Sequence, residues 1–319
     1  SPFAAPATLM LIAHVEQQGV WAVAGGMHQI ARTLADAAQR HGAELRTQSA
    51  VREVMVRAGC AVGVRLGSGE VIDARCVVFN GDTQALASGL LGHAASSAVP
   101  GYAAKERSLS AVTWNLLAHT QGFPLSRHNV FFSPDYAAEF AQLFGQRRLP
   151  TQPTVYICAM DRIDDSGATG PERLMCLVNA PACADEGGPS ESEVLRCKHD
   201  TLAALQRCGL RWTCEPGMSL TTTPADFAQR YPGTGGALYG RATHGWRAAF
   251  RRPGARTAIT GLYLAGGSVH PGAGVPMAAL SGRLATRSVL EDRASTRPLH
   301  PVATAGGTST PSTTRAPEG

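Results

Sequence analysis

The sequence predicts an α/β fold in which a nucleotide-binding domain is interrupted by an α+β insertion. Three observations carry that prediction. Residues 261–290 (GLYLAGGSVHPGAGVPMAALSGRLATRSVL) read as strand, glycine-rich turn and helix. Residues 19–82 read as a helix, a β-meander and a buried strand, in that order. Glycine is plentiful, 35 of 319 residues, and aromatics make up only 6%, a balance that suits an α/β nucleotide binder better than a β-sandwich.

At 44% hydrophobic and 17% charged, the chain can bury a sizeable core in one or two domains. Its net charge of +5 is moderately basic. No basic helix, zinc spacing or RNA-binding aromatic motif accompanies that charge, so nucleic acid is not the expected partner; an anionic membrane surface suits it better if the substrate is a lipid. The eight cysteines contain no C-x-x-C pair and no zinc-like spacing. With no secretory signal in the sequence, reduced thiols in a cytoplasmic protein are expected, and no metal. The longest early apolar run, residues 4–15, is broken by Pro6 and His14 and is shorter than the ~20 residues of a spanning helix.

Residues 1–18 are expected to be a segment of the substrate domain, in which Pro6 opens a helix carrying Leu9, Met10, Ile12, Ala13 and Val15 into an apolar contact, with either the core or a membrane. Residues 19–24 (GVWAVA) read as a short strand. Met27, Ile30, Ala31, Leu34 and Ala38 then recur at helical spacing as one buried stripe, and His41-Gly42 supplies the stop. Residues 44–47, 51–57 and 62–66 read as strands. Gly67-Ser68-Gly69 turns the chain into Val71-Ile72, and residues 76–79 form a buried strand ending at Asn80-Gly81-Asp82.

Residues 83–232 change character, mixing helical stretches (133–144, 191–206) with β-rich ones (111–119, 154–160, 174–180). They are expected to form an α+β substrate domain inserted between cofactor-domain parts 19–82 and 233–291. Arginines interleaved with Trp246 and Phe250 in residues 241–256 read either as an interfacial membrane patch or as a solvated loop. From 292 to 319 the composition falls to Ser, Thr, Pro, Ala and Gly, and a disordered tail is expected.

The run at 266–276, with Gly266, His270, Pro271, Gly272, Ala273, Gly274 and Pro276, resembles the flavin-contacting G-x-x-x-H-P-G-A-G-x-P signature of the bacterial carotenoid desaturase family. GGMHQIARTLADAAQRHGAELRTQSAVREV is similar to that family's G-G-M helix and following strand, and VVFNGD to its VV-x-N-A-D, with Gly81 where alanine is usual. HNVFFSPDYAAEF, PTVYICAMDRIDD and PERLMCLVNAPA resemble the branch comprising 1-hydroxycarotenoid 3,4-desaturases.

The resemblance implies an FAD-binding domain of glutathione reductase type. Val51 would then meet the adenine, unless it is a plain core valine, and Asn80 would end a strand near the cofactor. Gly266, Gly267, His270, Gly272, Gly274, Val275, Pro276 and Met277 would lie along the flavin. There a helix N-terminus would face the ring edge where charge collects on reduction. His270 either hydrogen-bonds the cofactor, accepts a proton, or only pins the turn. The family's reaction moves hydride from an allylic C–H of a carotenoid to the flavin and creates a double bond. Asp161, Asp164, Asp165 and His128 are the polar candidates for the proton acceptor, none singled out.

No G-x-G-x-x-G with its downstream acid occurs in the first half, so the resemblance covers about the C-terminal three fifths of a family member by rough alignment. A piece lacking the first βαβ unit is expected, and it is expected to bind FAD poorly alone. The alternatives are a phytoene desaturase or carotenoid isomerase with the same signature, or a non-catalytic carotenoid- or membrane-binding remnant. The expected location is the cytoplasm, peripheral on the inner membrane.

Overall fold

A computed structural model describes residues 19–162, 170–243 and 251–295, together with His14 and Gln17. The helix expected from Pro6, the carboxylates Asp164 and Asp165, and the aromatics Trp246 and Phe250 lie outside the described residues, as does the expected tail beyond residue 295.

The described chain builds two bodies of secondary structure, and the first comes from both ends of the sequence. Helix α1 (His28–Arg40) is followed by β1 (Val51–Arg57), β2 (Cys60–Leu66) and β3 (Val71–Asp73), an antiparallel meander in that order. Strand β4 (Val77–Phe79) and the short α2 (Thr83–Ala87) come next. Far along the chain, β10 (Leu262–Leu264) pairs in parallel with β4, Leu262 opposite Val77 and Leu264 opposite Phe79. Helix α6 (Val275–Ala294) follows. Val54, Ala61, Leu86, Ala98, Leu262, Leu264 and Val269 close one core across that sequence gap.

Between these parts lies a five-stranded antiparallel sheet ordered β6-β7-β8-β5-β9, made of β5 (Ser110–Gln121), β6 (His128–Phe131), β7 (Val155–Ala159), β8 (Glu172–Ala180) and β9 (Arg211–Thr222). Along β7 and β8 burial alternates residue by residue, the mark of a sheet with one face in a core. That face is covered by α4 (Glu191–Arg207) through Cys197 and Leu205, over Val112, Trp114, Cys176 and Val178. Ser190 and Glu193 start α4 with a reciprocal capping box. Two short helices complete the insertion, α3 (Tyr136–Phe140) and α5 (Pro224–Arg230).

Several expectations need correction. Residues 19–24 pair with no strand among the described residues; they end in a turn closed by Gly26 N–H to the Val23 carbonyl, and Trp21 is 80% exposed. Residues 44–47 form no ladder either: Arg46 instead binds both oxygens of Glu70 at 2.9 and 2.7 Å. Helix α1 forms and stops as expected, with Gly42 at φ +88, but none of its residues is buried. Its stripe is exposed, Met27 at 56% and Leu34 at 63%, because no described element packs on it. Val78, in the strand read as buried, is 48% exposed. At the other end α6 runs to Ala294, past the expected start of the tail, because Asp292 is held by Arg256 and Tyr263.

Candidate flavin edge and apolar wall

The carboxyl ends of β4 and β10 meet side by side, the position in an open parallel sheet where ligands gather. Ala265 N–H donates to Phe79 O at 3.0 Å. Gly266 is buried with φ +118, and a Cβ there would lie 3.3 Å from Asn80 O and 3.5 Å from Asn80 Oδ1, so Asn80 and Gly266 abut. Gly266 N–H donates to Ser281 Oγ at 2.8 Å, and that hydroxyl donates to Ala278 O at 2.6 Å. This side chain, 1% exposed, ties the end of β10 to the first turns of α6.

The glycine turn then crosses to the helix. His270 and Pro271 are joined by a cis peptide; His270 N–H donates to Pro253 O at 2.9 Å, and the residue itself is exposed. Gly272 (φ +139) lies against Arg252, where a Cβ would come 3.6 Å from Nε. Gly274 is the N-cap of α6 at φ +109, where L side chains rarely go, and no side chain caps this end. Gly274, Val275 and Pro276 are exposed and Met277 is half-buried. The open N-terminus of a 20-residue helix thus presents first-turn amides beside bare backbone.

Asn80, Gly266, Gly267, His270, Gly272, Gly274, Val275, Pro276 and Met277 therefore form one contiguous edge. Val51 stands apart. It begins β1 opposite Leu66, 39% exposed, on the meander rather than on the β4–β10 pair.

A polar cluster supports this edge from behind. Arg252 donates to Gly267 O and Tyr239 O, each at 2.8 Å, and to Arg241 O at 3.3 Å. Asp82 Oδ1 accepts from Gln84 N–H at 2.8 Å and from the Tyr102 hydroxyl at 3.4 Å. Burial pushes the Asp82 carboxyl and the Tyr102 hydroxyl above their ordinary pKa values and the Arg252 guanidinium below its own. Gly240, at φ +65, passes so close that a Cβ would come within 2.9 Å of Ser268 Cβ and 3.2 Å of Asp82 Oδ2. The run 233–240 thus returns the chain to the edge. Arg252, Tyr102 and Ser281 are missing from the sequence reading: their partners are far away in sequence, and no local pattern marks them.

The inserted sheet leaves the edge directly. Ser108 N–H donates to Gly240 O at 2.8 Å and Leu238 N–H to Leu109 O at 3.1 Å, and β5 starts at Ser110. Its face away from α4 is a wall of cross-strand rows. His128, Cys158, Met175, Asn115 and Leu220 form one row, and Val130, Tyr156, Leu177, Thr113 and Thr222 the next. Most of these residues are half-buried or exposed, Leu220 at 59% and Val130 at 49%. Five strands at the usual ~4.8 Å spacing make the wall about 19 Å wide.

The proton-acceptor candidates separate here. Asp161 is locked to Arg173, which holds its pKa below the usual range and leaves it a poor base. His128 lies on the wall, with Nδ1 2.7 Å from the Tyr156 hydroxyl, which burial and Cys158 push up to about 12. All eight cysteines are free thiols. Burial raises Cys176 and Cys197, so these two are inert core residues.

A family model described as flavin containing amine oxidoreductase matches residues 7–290. The chain is 52% identical over 315 residues to the hydroxyneurosporene desaturase of Rubrivivax gelatinosus, covering 98% of this chain and 60% of that protein. It is 43% identical over 296 residues to the hydroxyneurosporene desaturase of Cereibacter sphaeroides, covering 92% and 59%. Against the 1-hydroxycarotenoid 3,4-desaturase of Flavobacterium sp. (strain P99-3) it is 32% identical over 292 residues, covering 89% and 58%. The chain thus spans about three fifths of the length of the curated relatives it matches.

Proposed function

The chain belongs to the flavin-containing amine oxidoreductase family, and from that premise we propose that it forms the greater part of an FAD-dependent carotenoid desaturase acting on a 1-hydroxycarotenoid. The observation that carries the reading is the flavin edge, where a parallel strand pair, a bare glycine turn and an uncapped helix N-terminus converge. The residues fit a flavin: α6 offers amides and positive potential, and the exposed Gly274, with nothing within 4 Å of an added Cβ, leaves the backbone open to a planar ring.

When bound, FAD supplies the hydride acceptor. The chain's own contribution is positional and electrostatic. Gly266, Gly267 and Asn80 would form the floor beside the ring, and the first turn of α6 would stabilise negative charge at its edge. Ser281 and Arg252 hold that floor in place. The wall beginning at β5 would align an elongated apolar chain and exclude water from the reacting carbon. His128, on the wall and in contact with Tyr156, remains a candidate proton acceptor. Val51 at the adenine, a carotenoid as substrate and a peripheral position on the inner membrane belong to the same reading.

The experiment is product analysis in a host that accumulates a 1-hydroxycarotenoid, using the full-length protein. One additional conjugated double bond is expected. An unchanged double-bond count refutes the desaturase reading, and in such a host an altered geometry alone points to an isomerase. Flavin titration of the 319-residue chain is expected to give weak or no binding, because no G-x-G-x-x-G occurs in it; a stoichiometrically flavinylated preparation would contradict this.

A further inference from the structure

We propose that Asn179 and Thr113 form the subsite that holds the substrate's hydroxyl group and so set a preference for a hydroxylated polyene. The proposal rests on the reading above, in which the substrate is a 1-hydroxycarotenoid.

The two residues lie on the wall, on adjacent strands. Val178 and Ala180 point into the core under α4, so Asn179 between them faces the other way. Val112 and Trp114 fix the direction of Thr113 in the same manner. Ala111 is the partner opposite Asn179, and Leu177 the partner opposite Thr113. Asn179 and Thr113 are therefore diagonal neighbours, with Cβ atoms about 7 Å apart. That gap takes one hydroxyl, which can donate to the amide oxygen while accepting from the threonine.

Both side chains are unspent. Asn179 is half-buried and Thr113 only 7% exposed, yet neither amide nor hydroxyl bonds to a protein group among the described residues. Nor is either sealed from open space, in contrast to Ser110 Oγ on the opposite face. Their polar neighbour is occupied: Thr154, which the β7–β8 register places beside Asn179, donates to Glu139 and accepts from Ser133 N–H. Polar groups drawn this far out of water without a partner carry a desolvation cost, which a bound hydroxyl would offset.

Position along the wall selects the hydroxyl over the rest of the substrate. In the 3,4-desaturation that the resemblance implies, the carbon bearing the hydroxyl is two bonds from the nearer reacting carbon. A hydroxyl so placed lies beside the flavin edge whenever the reacting bond does, so its partner belongs to the first rows of the wall. Ala111, opposite Asn179, is three residues past Ser108, which is clamped to Gly240 at the edge; at ~3.3 Å per residue that is about 10 Å. Asn115, another amide on the same face, is about 23 Å from that clamp. Leu177 and Met175 continue β8 away from the edge and suit the polyene that follows the hydroxylated end.

The test is binding to the full-length protein of a 1-hydroxycarotenoid and of the same polyene lacking the hydroxyl, both in detergent micelles, read by the polyene's induced circular dichroism. The wild type is expected to prefer the hydroxylated polyene by about tenfold or more, as two neutral hydrogen bonds would give. Asn179→Leu, which removes the amide, should cut that preference to about threefold or less. Thr113→Val suits a strand, covers the case in which the first variant misfolds, and should cut it likewise. Asn115→Leu should move both affinities together and leave their ratio at the wild-type value. Absent or equal binding of the two polyenes by the wild type, a full preference kept by folded Thr113→Val, or a preference lost in Asn115→Leu overturns the proposal. The desaturase reading fails on a different result: a wild type that prefers the hydroxylated polyene yet adds no double bond sinks that reading and leaves the subsite standing.

Discussion

Replacing Arg252 with methionine is expected to destabilise the flavin edge by about 2 kcal/mol. Its guanidinium makes two short bonds, to Gly267 O and Tyr239 O, and a longer one to Arg241 O. A hydrogen bond from a charged donor contributes about 1.5–3 kcal/mol net when buried. Two such bonds suggest about 3–6 kcal/mol, from which two deductions follow. The group is half-exposed, so water replaces part of what is lost. Burial also holds its pKa below the usual value, so removing the charge relieves a desolvation cost. Arg252→Lys should recover about half of the loss, since one ammonium cannot span carbonyls on both sides of the turn. Urea denaturation at neutral pH reads both variants. A methionine variant within about 0.5 kcal/mol of wild type, or a lysine variant equal to it, would refute the account of Arg252 as a strut.

Two glycines should respond in opposite directions to alanine. Gly240→Ala meets a left-handed backbone and a Cβ contact of 2.9 Å with Ser268, so a loss of about 2 kcal/mol or more is expected in thermal melts. Gly282→Ala, mid-helix in α6 with nothing within 4 Å of the new carbon, should gain about 0.5–1 kcal/mol; equal responses would count against both assignments. Glu172, 1% exposed, takes Arg162 at 2.7 and 2.8 Å and Thr120 at 2.5 Å, so Glu172→Gln should cost about 3 kcal/mol at pH 7 by leaving Arg162 without its counter-ion. Arg162 lowers the Glu172 pKa, so this stabilisation is present above the ordinary glutamate pKa and is lost as pH falls through the folded one. The gap between wild type and variant should close on acidification, and a gap constant down to pH ~3 would show the charge to be irrelevant.

Elements with their signal inside one short stretch were legible in the sequence: β10 and α6 through the glycine turn, α4 through its apolar spacing, β1–β2 through alternation. What escaped depends on partners. Strand β9, not among the β-rich stretches read from the sequence, carries Pro216-Gly217 at its middle; it is an edge strand, where a proline's missing N–H is tolerated and a bulge opposite residues 116–118 absorbs the irregularity. Residues 19–24 have the composition of a strand, but a strand needs a neighbour. The stripe on α1 was legible as a pattern but not as a burial, since a pattern states what a face wants and not whether it is met. Arg252, Tyr102 and Ser281 owe their positions to the fold, and no local sequence rule places them.

The topology explains why the cofactor edge and the apolar wall have to be considered together. The chain leaves the parallel pair after β4, passes Asp82 and Tyr102, and enters the inserted sheet at Ser110. It returns through Tyr239 and Gly240, alongside the strand by which it left, before closing the pair with β10. Both crossings are clamped within a few residues, by Ser108 to Gly240 and by Arg252 across to Gly267. The wall's first rows are therefore fixed relative to the glycine turn by short hydrogen bonds rather than by a flexible linker. An elongated substrate of the kind proposed would be held on such a wall in register with one point at its cofactor end, so which bond reacts would depend on how far the chain is pushed in. On this reasoning selectivity would reside in the residues that set that depth, at the β5 end of the wall.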